Sequence, residues 1–350
     1  MTSGVIEALE RQRAACADAG SPFYATLLAA CIADIESGGP VANVFAGIAD
    51  DEVPTLLPLR FLGGVHRLVL QRKAPRLALH YSSVGGDGDA AQCWPAFLAC
   101  VQEHTTQLRA DLAGPPQTND VGRSALLIGA LHLLVERHRI PIRLFEIGSS
   151  AGLNLLADHF AIADDRGEIL AGPADADVVL RDAWRGALPP QVEIDIIERR
   201  GCDLAPVDIA TVEGRERLTS FVWPDDVARF ERLRAALTVA ATDPIDVEIA
   251  DALDFVGSIE LKPGTVTVLW HSVVTMYMGR DERTALRAAI DCLHEQADEN
   301  SVFAHVWFEP RRSEHVQFGL RMQVGAEREA RVVAKAPPHG LPTTWLTPRR

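Results

Sequence analysis

Residues 142–157, IRLFEIGSSAGLNLLA, decide how the chain is to be read. Arg143 to Ile147 is short and apolar and is ended by a glycine, the pattern of a buried strand. Gly148-Ser149-Ser150-Ala151-Gly152 follows, a turn with almost no side chain. Leu153, Leu155, Leu156 and Phe160 then recur with helical spacing, which predicts a helix after the turn. A bulk-free turn between strand and helix lets a ligand lie against the backbone, and free N–H groups at the helix start favour an anionic or strongly polar one. Glu146 stands at the strand's carboxyl end, where open α/β sheets bind ligands.

The same residues fit two chemistries. Glu146-x-Gly148-x-Ser150-x-Gly152 reads as a nucleotide-binding turn. Gly148-x-Ser150-x-Gly152 also reads as G-x-S-x-G, the elbow that presents a nucleophilic serine. A tight strand-to-helix turn without ligand is the plain alternative.

Working outward, Gly114-Pro115-Pro116 divides the chain into a helical region, 1–113, and an alternating strand–helix region, 114–350. The first region is a run of apolar and amphipathic helices, with Ser21-Pro22 as a helix start and Gly38-Gly39-Pro40 as a break. His66 lies on a largely apolar helix and reads as a satisfied core histidine. Asn119 or Asp120 caps the helix that enters the second region, and Arg123 lies in its first turns. Residues 161–192, rich in Asp, Gly and Pro, read as an irregular insertion with short strands. Further strands are expected to end near Asp203, at Val247–Ala250, at Val266–Trp270 running into His271-Ser272, and over 301–310. VQFGLRMQV and ARVVAKA, separated by residues 325–329, read as a terminal antiparallel hairpin. Alternation of this kind builds a doubly wound, mostly parallel sheet, because parallel strands need crossover connections.

Composition narrows the function. The 350 residues are 47% hydrophobic and 23% charged, as in a globular protein, with a net charge of -14. That balance argues against a broad nucleic-acid groove. The basic clusters Arg67, Arg72, Lys73, Arg76 and Arg311, Arg312 read as solvated faces. The six cysteines show neither zinc-ligand nor disulfide spacing. The N-terminus has no apolar signal core, and no apolar run is long enough to span a bilayer, so a cytoplasmic protein without a membrane partner is expected.

Several motifs in order resemble an uncharacterised bacterial family, domain-of-unknown-function family 2332. They are RLFEIGSSAGLNLL (143–156), RRGCDLAPVD (199–208), Trp223-Pro224-Asp225, His271-Ser272-Val273-Val274 and Asn119-Asp120-Val121-Gly122-Arg123. Residues 113–350 also resemble class I S-adenosylmethionine-dependent methyltransferases, with serine where their first motif has its middle glycine. That resemblance implies a Rossmann-like sheet closed by an antiparallel hairpin, and methyl transfer to a small-molecule acceptor. Under it, Gly148, Ser150 and Gly152 carry the methionine part of S-adenosylmethionine, and Arg123 holds its carboxylate. Glu146, Asp203 and Asp251 end three strands, with Asp203 for the ribose, Asp251-Ala252 for the adenine, and Glu198 and Asp208 as substitutes for Asp203. A carboxylate suits ribose hydroxyls because it accepts several hydrogen bonds. Asn154 caps backbone groups or touches cofactor. His271, a general base near neutral pH, and Tyr277 face the acceptor, with the helical region as lid or wall.

Two alternatives stand beside this reading. One is a non-catalytic binding or scaffold protein that keeps the fold. The other is a serine hydrolase using Ser150, with Asp251 as acid and His305, His315 or His339 as base; no His-Gly-Gly run supplies its oxyanion hole. His305-x-Trp307-x-Glu309 alternates on one strand face, but two ligands do not make a metal site.

Overall fold

The structure is a computed structural model that describes residues 3–50, 53–311, 317–327 and 329–347. The chain forms two compact units: Met1–Thr118 with Ile209–Glu231, and Asn119–Asp208 with Arg232–Arg350.

The first unit is helical. Ser3–Asp18, Pro22–Glu36, Val41–Phe45, Leu57–Leu70, Pro75–Ala78, Ala90–Glu103 and Thr105–Asp111 are joined by Val212–Ser220 from the returning segment. Ser21 caps the second helix by accepting from Tyr24 N–H, with Pro22 in its first turn. Asp225 of the Trp223-Pro224-Asp225 triplet accepts from Ser21 Oγ (2.7 Å) and Phe23 N–H (3.0 Å), and Trp223 is buried in the same core. His66 is buried, its ring nitrogens meeting Ser220 O (3.2 Å) and Ser83 Oγ (2.7 Å). Burial lowers its pKa to about 4, so it is a neutral core histidine.

The second unit is a mixed α/β structure. Its strands in chain order are β1 (Ile142–Ile147), β2 (Phe160–Ala163), β3 (Ile169–Ala171), β4 (Val178–Leu180), β5 (Trp184–Gly186), β6 (Ile196–Asp203), β7 (Val247–Ile249), β8 (Thr265–Ser272), β9 (Ser301–Arg311), β10 (Gln317–Val324), β11 (Arg331–Lys335) and β12 (Thr343–Trp345). Among the described residues one nine-stranded sheet has the order β5-β12-β11-β10-β9-β8-β1-β6-β7. Strands β7, β6, β1, β8 and β9 are parallel, and β10, β11 and β12 continue as an antiparallel meander. The order of the parallel strands reverses between β1 and β8, the point at which such sheets bind ligands beyond their carboxyl ends.

The first crossover departs from expectation. Leu153–His159 is not an α-helix but a 3₁₀ segment kinked at Leu156, and it runs directly into β2. Phe160 is thus a strand residue, and β2, β3 and β4 form a separate three-stranded sheet between β1 and β6. The leucines are spaced for a helix, but the seven residues between Gly152 and β2 leave room for only a short one. Among the described residues no helix is long and apolar enough to cross a membrane.

Candidate functional site at the strand carboxyl ends

Side chains alternate along a strand, so the carboxyl ends of β1 and β8 present two different clusters on opposite faces. Glu146 is in register with Trp270, and Phe145 with Leu269. Glu146 and Trp270 therefore share one face, while His271 joins Phe145 on the other.

On the first face Glu146 is buried. Asn154 Nδ2 donates to its Oε1 at 3.5 Å, while its Oε2 and the buried Trp270 Nε1 meet no hydrogen-bond partner. Burial raises the Glu146 pKa to about 8; the Asn154 and Trp270 N–H groups that approach it oppose this, and the charge of Asp203 adds to it. Asn154 Oδ1 accepts from Ser124 Oγ at 2.7 Å.

The glycine turn is not open backbone. Ser149 N–H donates to Cys202 O, Ser150 N–H to Asp203 Oδ2 (2.9 Å), and Gly152 N–H to Ser149 O. Asn119 Oδ1 accepts from both Ala151 N–H (3.2 Å) and Leu153 N–H (3.0 Å). The expectation of free N–H donors for an anionic ligand is therefore overturned: Asn119 and Asp203 already satisfy them. Gly148 and Gly152 have positive φ, but a β-carbon on Gly148 would lie 2.4 Å from Val274 Cγ2 and one on Gly152 3.0 Å from Ile245 Cγ2. Both glycines admit the chain's own side chains. Ser150 sits at φ 57, an uncommon conformation for a residue with a β-carbon.

The Asn119–Arg123 motif is explained by the same packing. Asp120 accepts from Gly122 N–H (3.2 Å) and pairs with His339 Nδ1 (2.6 Å). A side chain at Gly122 would meet His339 O at 2.4 Å, so glycine permits close approach of the segment around Pro338. Arg123 is buried and donates to Pro338 O (3.0 Å) and Ser272 O (3.4 Å). It is near enough to influence Glu146 electrostatically, yet its guanidinium is engaged by carbonyls.

The acids at the neighbouring strand ends are more open. Asp203 Oδ1 accepts from Ala205 N–H (2.9 Å) while Oδ2 holds the turn. Asp251 is exposed and caps the helix Ala252–Gly257 through Oδ1, accepting from Leu253 and Asp254 N–H. Ile249, in register with Asp203, is 82% exposed, and Leu204 is 76% exposed. Of the substitutes for Asp203, Glu198 is bound to Arg143 (2.6 Å) and Lys262 (3.4 Å).

On the opposite face His271, His305 and Glu309 are all buried. His271 Nδ1 meets Glu309 Oε1 at 2.9 Å and its Nε2 meets His305 Nε2 at 3.1 Å. Glu309 Oε1 also accepts from Val274 and Thr275 N–H, and Oε2 accepts from Thr275 Oγ1. Despite burial, these hydrogen bonds, led by that from His271, hold the Glu309 pKa below the usual glutamate value. Burial pushes the His305 pKa well below its ordinary value, and Trp307 stacks on its ring at 4.1 Å. Glu309 as acceptor makes His271 Nδ1 the donor, which leaves the two facing Nε2 atoms of His271 and His305 to share one N–H. His271, expected to face a methyl acceptor, is thus turned away from Glu146 and Asp203 and bound on both nitrogens. Tyr277, 38% exposed, lies in the short turn after β8.

For the elbow reading, Ala151 N–H is the donor that follows the serine, and Asn119 occupies it. His305 lies within the relay, His339 is bound to Asp120, and His315 lies outside the described residues.

A mixed α/β unit with a mostly parallel sheet, in a chain that also carries a helical unit, is the class that these features define. The chain belongs to the bacterial family described as an uncharacterized protein conserved in bacteria (DUF2332), whose profile matches residues 6–345. No curated protein and no solved structure matches it.

Proposed function

We propose that the second unit binds S-adenosylmethionine along the carboxyl ends of β6 and β7 and transfers its methyl group to a small-molecule acceptor. One observation carries this reading: Asp203 and Asp251 end adjacent strands, and the large apolar side chains of Leu204 and Ile249 stand exposed beside them. A nucleoside needs this pairing, apolar surface for a flat base and carboxylates for hydroxyl and amino groups. Each Asp203 oxygen accepts one backbone N–H, which leaves lone pairs for a ribose, and Asp251 keeps Oδ2. Methyl transfer from a sulfonium rests mainly on positioning, so the engagement of His271 elsewhere does not weigh against it. Tyr277 is the acceptor-side residue this reading retains.

Titration calorimetry of the full chain with S-adenosylmethionine and S-adenosylhomocysteine tests it. Both should bind, and Leu204→Asp and Asp251→Ala should each weaken binding about tenfold, roughly the loss of one contact worth 1.4 kcal/mol. Neither substitution touches Asn119 or the turn. Absence of heat with either compound, in folded protein, ends the reading. A second reading, a binding or scaffold protein without turnover, is favoured by the turn at 149–153, whose N–H groups the chain itself satisfies.

A further inference from the structure

The antiparallel end of the large sheet has one closed face and one open face. Side chains alternate along β9, β10 and β11, and residues in register share a face. Phe308, Leu320, Ala334 and Trp345 are in register across four strands and buried on the closed face. There the Trp345 ring takes the space a side chain would need at Gly129 of the helix Ser124–His138. The opposite face carries Trp307 in register with Arg321 and Val332, then Glu309 in register with Gly319 and Lys335, then Arg311. Arg311 and Lys335 are exposed and Val332 is 40% exposed, so this face stands open.

A notch lies in the open face beside Trp307. Alternate residues of a strand are about 6.6 Å apart, yet the Trp307 and His305 rings stack at 4.1 Å. His305 is held by His271 at 3.1 Å, so it is Trp307 that leans along the strand, away from position 309. Glu309 in turn is drawn toward the end of β8 by His271, Val274 and Thr275. Gly319, between Glu309 and Lys335, has no side chain to fill the space. Its φ is not positive, and the tightest contact of a β-carbon there would be Val332 Cγ1 at 3.3 Å, so the backbone itself does not call for glycine. Glycine inside a strand gives up packing and often marks the close approach of a ligand. Among the described residues the second face of the Trp307 ring meets no other ring and no cation, and its indole N–H has no hydrogen-bond partner.

Three cations border this notch. The chain as a whole carries -14, yet Arg311, Arg321 and Lys335 have no acid partner among the described residues. Arg321 is half-buried, and burial together with the charge of Arg311 weakens its hold on its proton. A carboxylate is satisfied by one guanidinium fork. Three uncompensated cations around one spot suit a phosphate dianion, whose oxygens accept from all of them.

We propose that this notch binds a phosphate monoester carried on a flat aromatic ring. The ring lies over Gly319 against the second face of Trp307, and the phosphate meets Arg311, Arg321 and Lys335. The site shares no residue with the carboxyl ends of β6 and β7 and does not rest on the reading above.

Calorimetry of the full chain with naphthyl phosphate, methyl phosphate, inorganic phosphate, naphthol and naphthoate tests this. None of these carries a ribose or an adenine, so none reports on Asp203 or Asp251. Naphthyl phosphate should bind about tenfold or more tightly than each of the others. Trp307→Leu should erase its advantage over methyl phosphate. Gly319→Val, which fills the notch and leaves the His305 stack in place, should do the same. Arg321→Gln and Lys335→Gln should each weaken naphthyl phosphate about fivefold to tenfold and leave naphthol unchanged. Lys335→Gln, at an exposed site, covers the case in which the half-buried Arg321→Gln fails to fold. AMP and free O-phosphotyrosine should displace naphthyl phosphate, and the tighter of the two identifies the source of the ligand. The proposal is overturned if naphthyl phosphate binds no better than methyl phosphate, or if naphthoate matches it. It is equally overturned if the variants bind like wild type, or if neither AMP nor O-phosphotyrosine displaces the probe.

Discussion

Glu146 and Glu309 are two buried glutamates at the carboxyl ends of strands in one sheet, yet their protons behave in opposite ways. Glu309 collects hydrogen bonds from His271, Val274 and Thr275, and its pKa is lowered. Glu146 receives one long bond from Asn154, has an orphan oxygen, and its pKa rises to about 8. Burial alone does not set the charge of a carboxyl group; the number of donors aimed at it does. One face of the switch point is thus a completed polar network, and the other keeps an unfinished one beneath the turn that was expected to hold a ligand.

The largest expected effect comes from removing the unfinished acid. Between its unfolded pKa near 4.5 and its folded value of about 8, native Glu146 keeps a proton that the unfolded chain has released. Stability should therefore fall as pH rises through that window and level off above it. Glu146→Gln should flatten the profile, matching wild type below pH 4.5 and exceeding it by up to about 5 kcal/mol above pH 8. Urea unfolding at a series of pH values measures this. Parallel profiles for the two proteins would mean that Glu146 is ionised, and the contrast with Glu309 would be lost.

Removing the finished acid should act in the opposite direction. Glu309→Ala strands three donor groups and the His271–His305 pair, and should cost about 3–5 kcal/mol at neutral pH. The Glu309 pKa is lowered on folding, so its contribution is present above about pH 4.5, the ordinary glutamate value, and is lost as pH falls through the folded value. The gap between wild type and Glu309→Gln should accordingly close in acid. A cost below 1 kcal/mol for Glu309→Ala would show that the network is not a unit.

Much of the frame was legible beforehand. The short apolar runs of β1, β6, β8 and β9, the long amphipathic helix Arg280–Gln296, and the terminal hairpin each follow from periodicity and turn residues. The insertion was legible as irregular chain with short strands, but not that β2, β3 and β4 pair into a sheet of their own. What was hidden is register. Alternation alone puts His305 and Glu309 on one strand face, but only the alignment of β8 with β9 brings His271 between them. That same alignment turns His271 away from Glu146. Asn119, read as a helix cap, caps the glycine turn instead, a contact across some thirty residues that no local pattern encodes. Trp345 likewise reveals its role only against Gly129.

The smallest expected effect concerns the link that joins the two faces. Val273 follows β8 with φ 58, a conformation that β-branched residues rarely adopt. Its N–H donates to Phe308 O, and the bend it makes lets Val274 serve both clusters: the side chain fills the space at Gly148, while the N–H reaches Glu309. Strain of this kind costs about 1–3 kcal/mol, and glycine would relieve it while adding about 1 kcal/mol of unfolded-chain entropy. Val273→Gly should therefore raise stability modestly, by about 1 kcal/mol, and leave the pH profiles of both glutamates unchanged. A stability loss greater than 1 kcal/mol would show that the valine side chain packs more favourably than its backbone is strained. A shift in the Glu309 profile would show that the two faces are coupled through this bend.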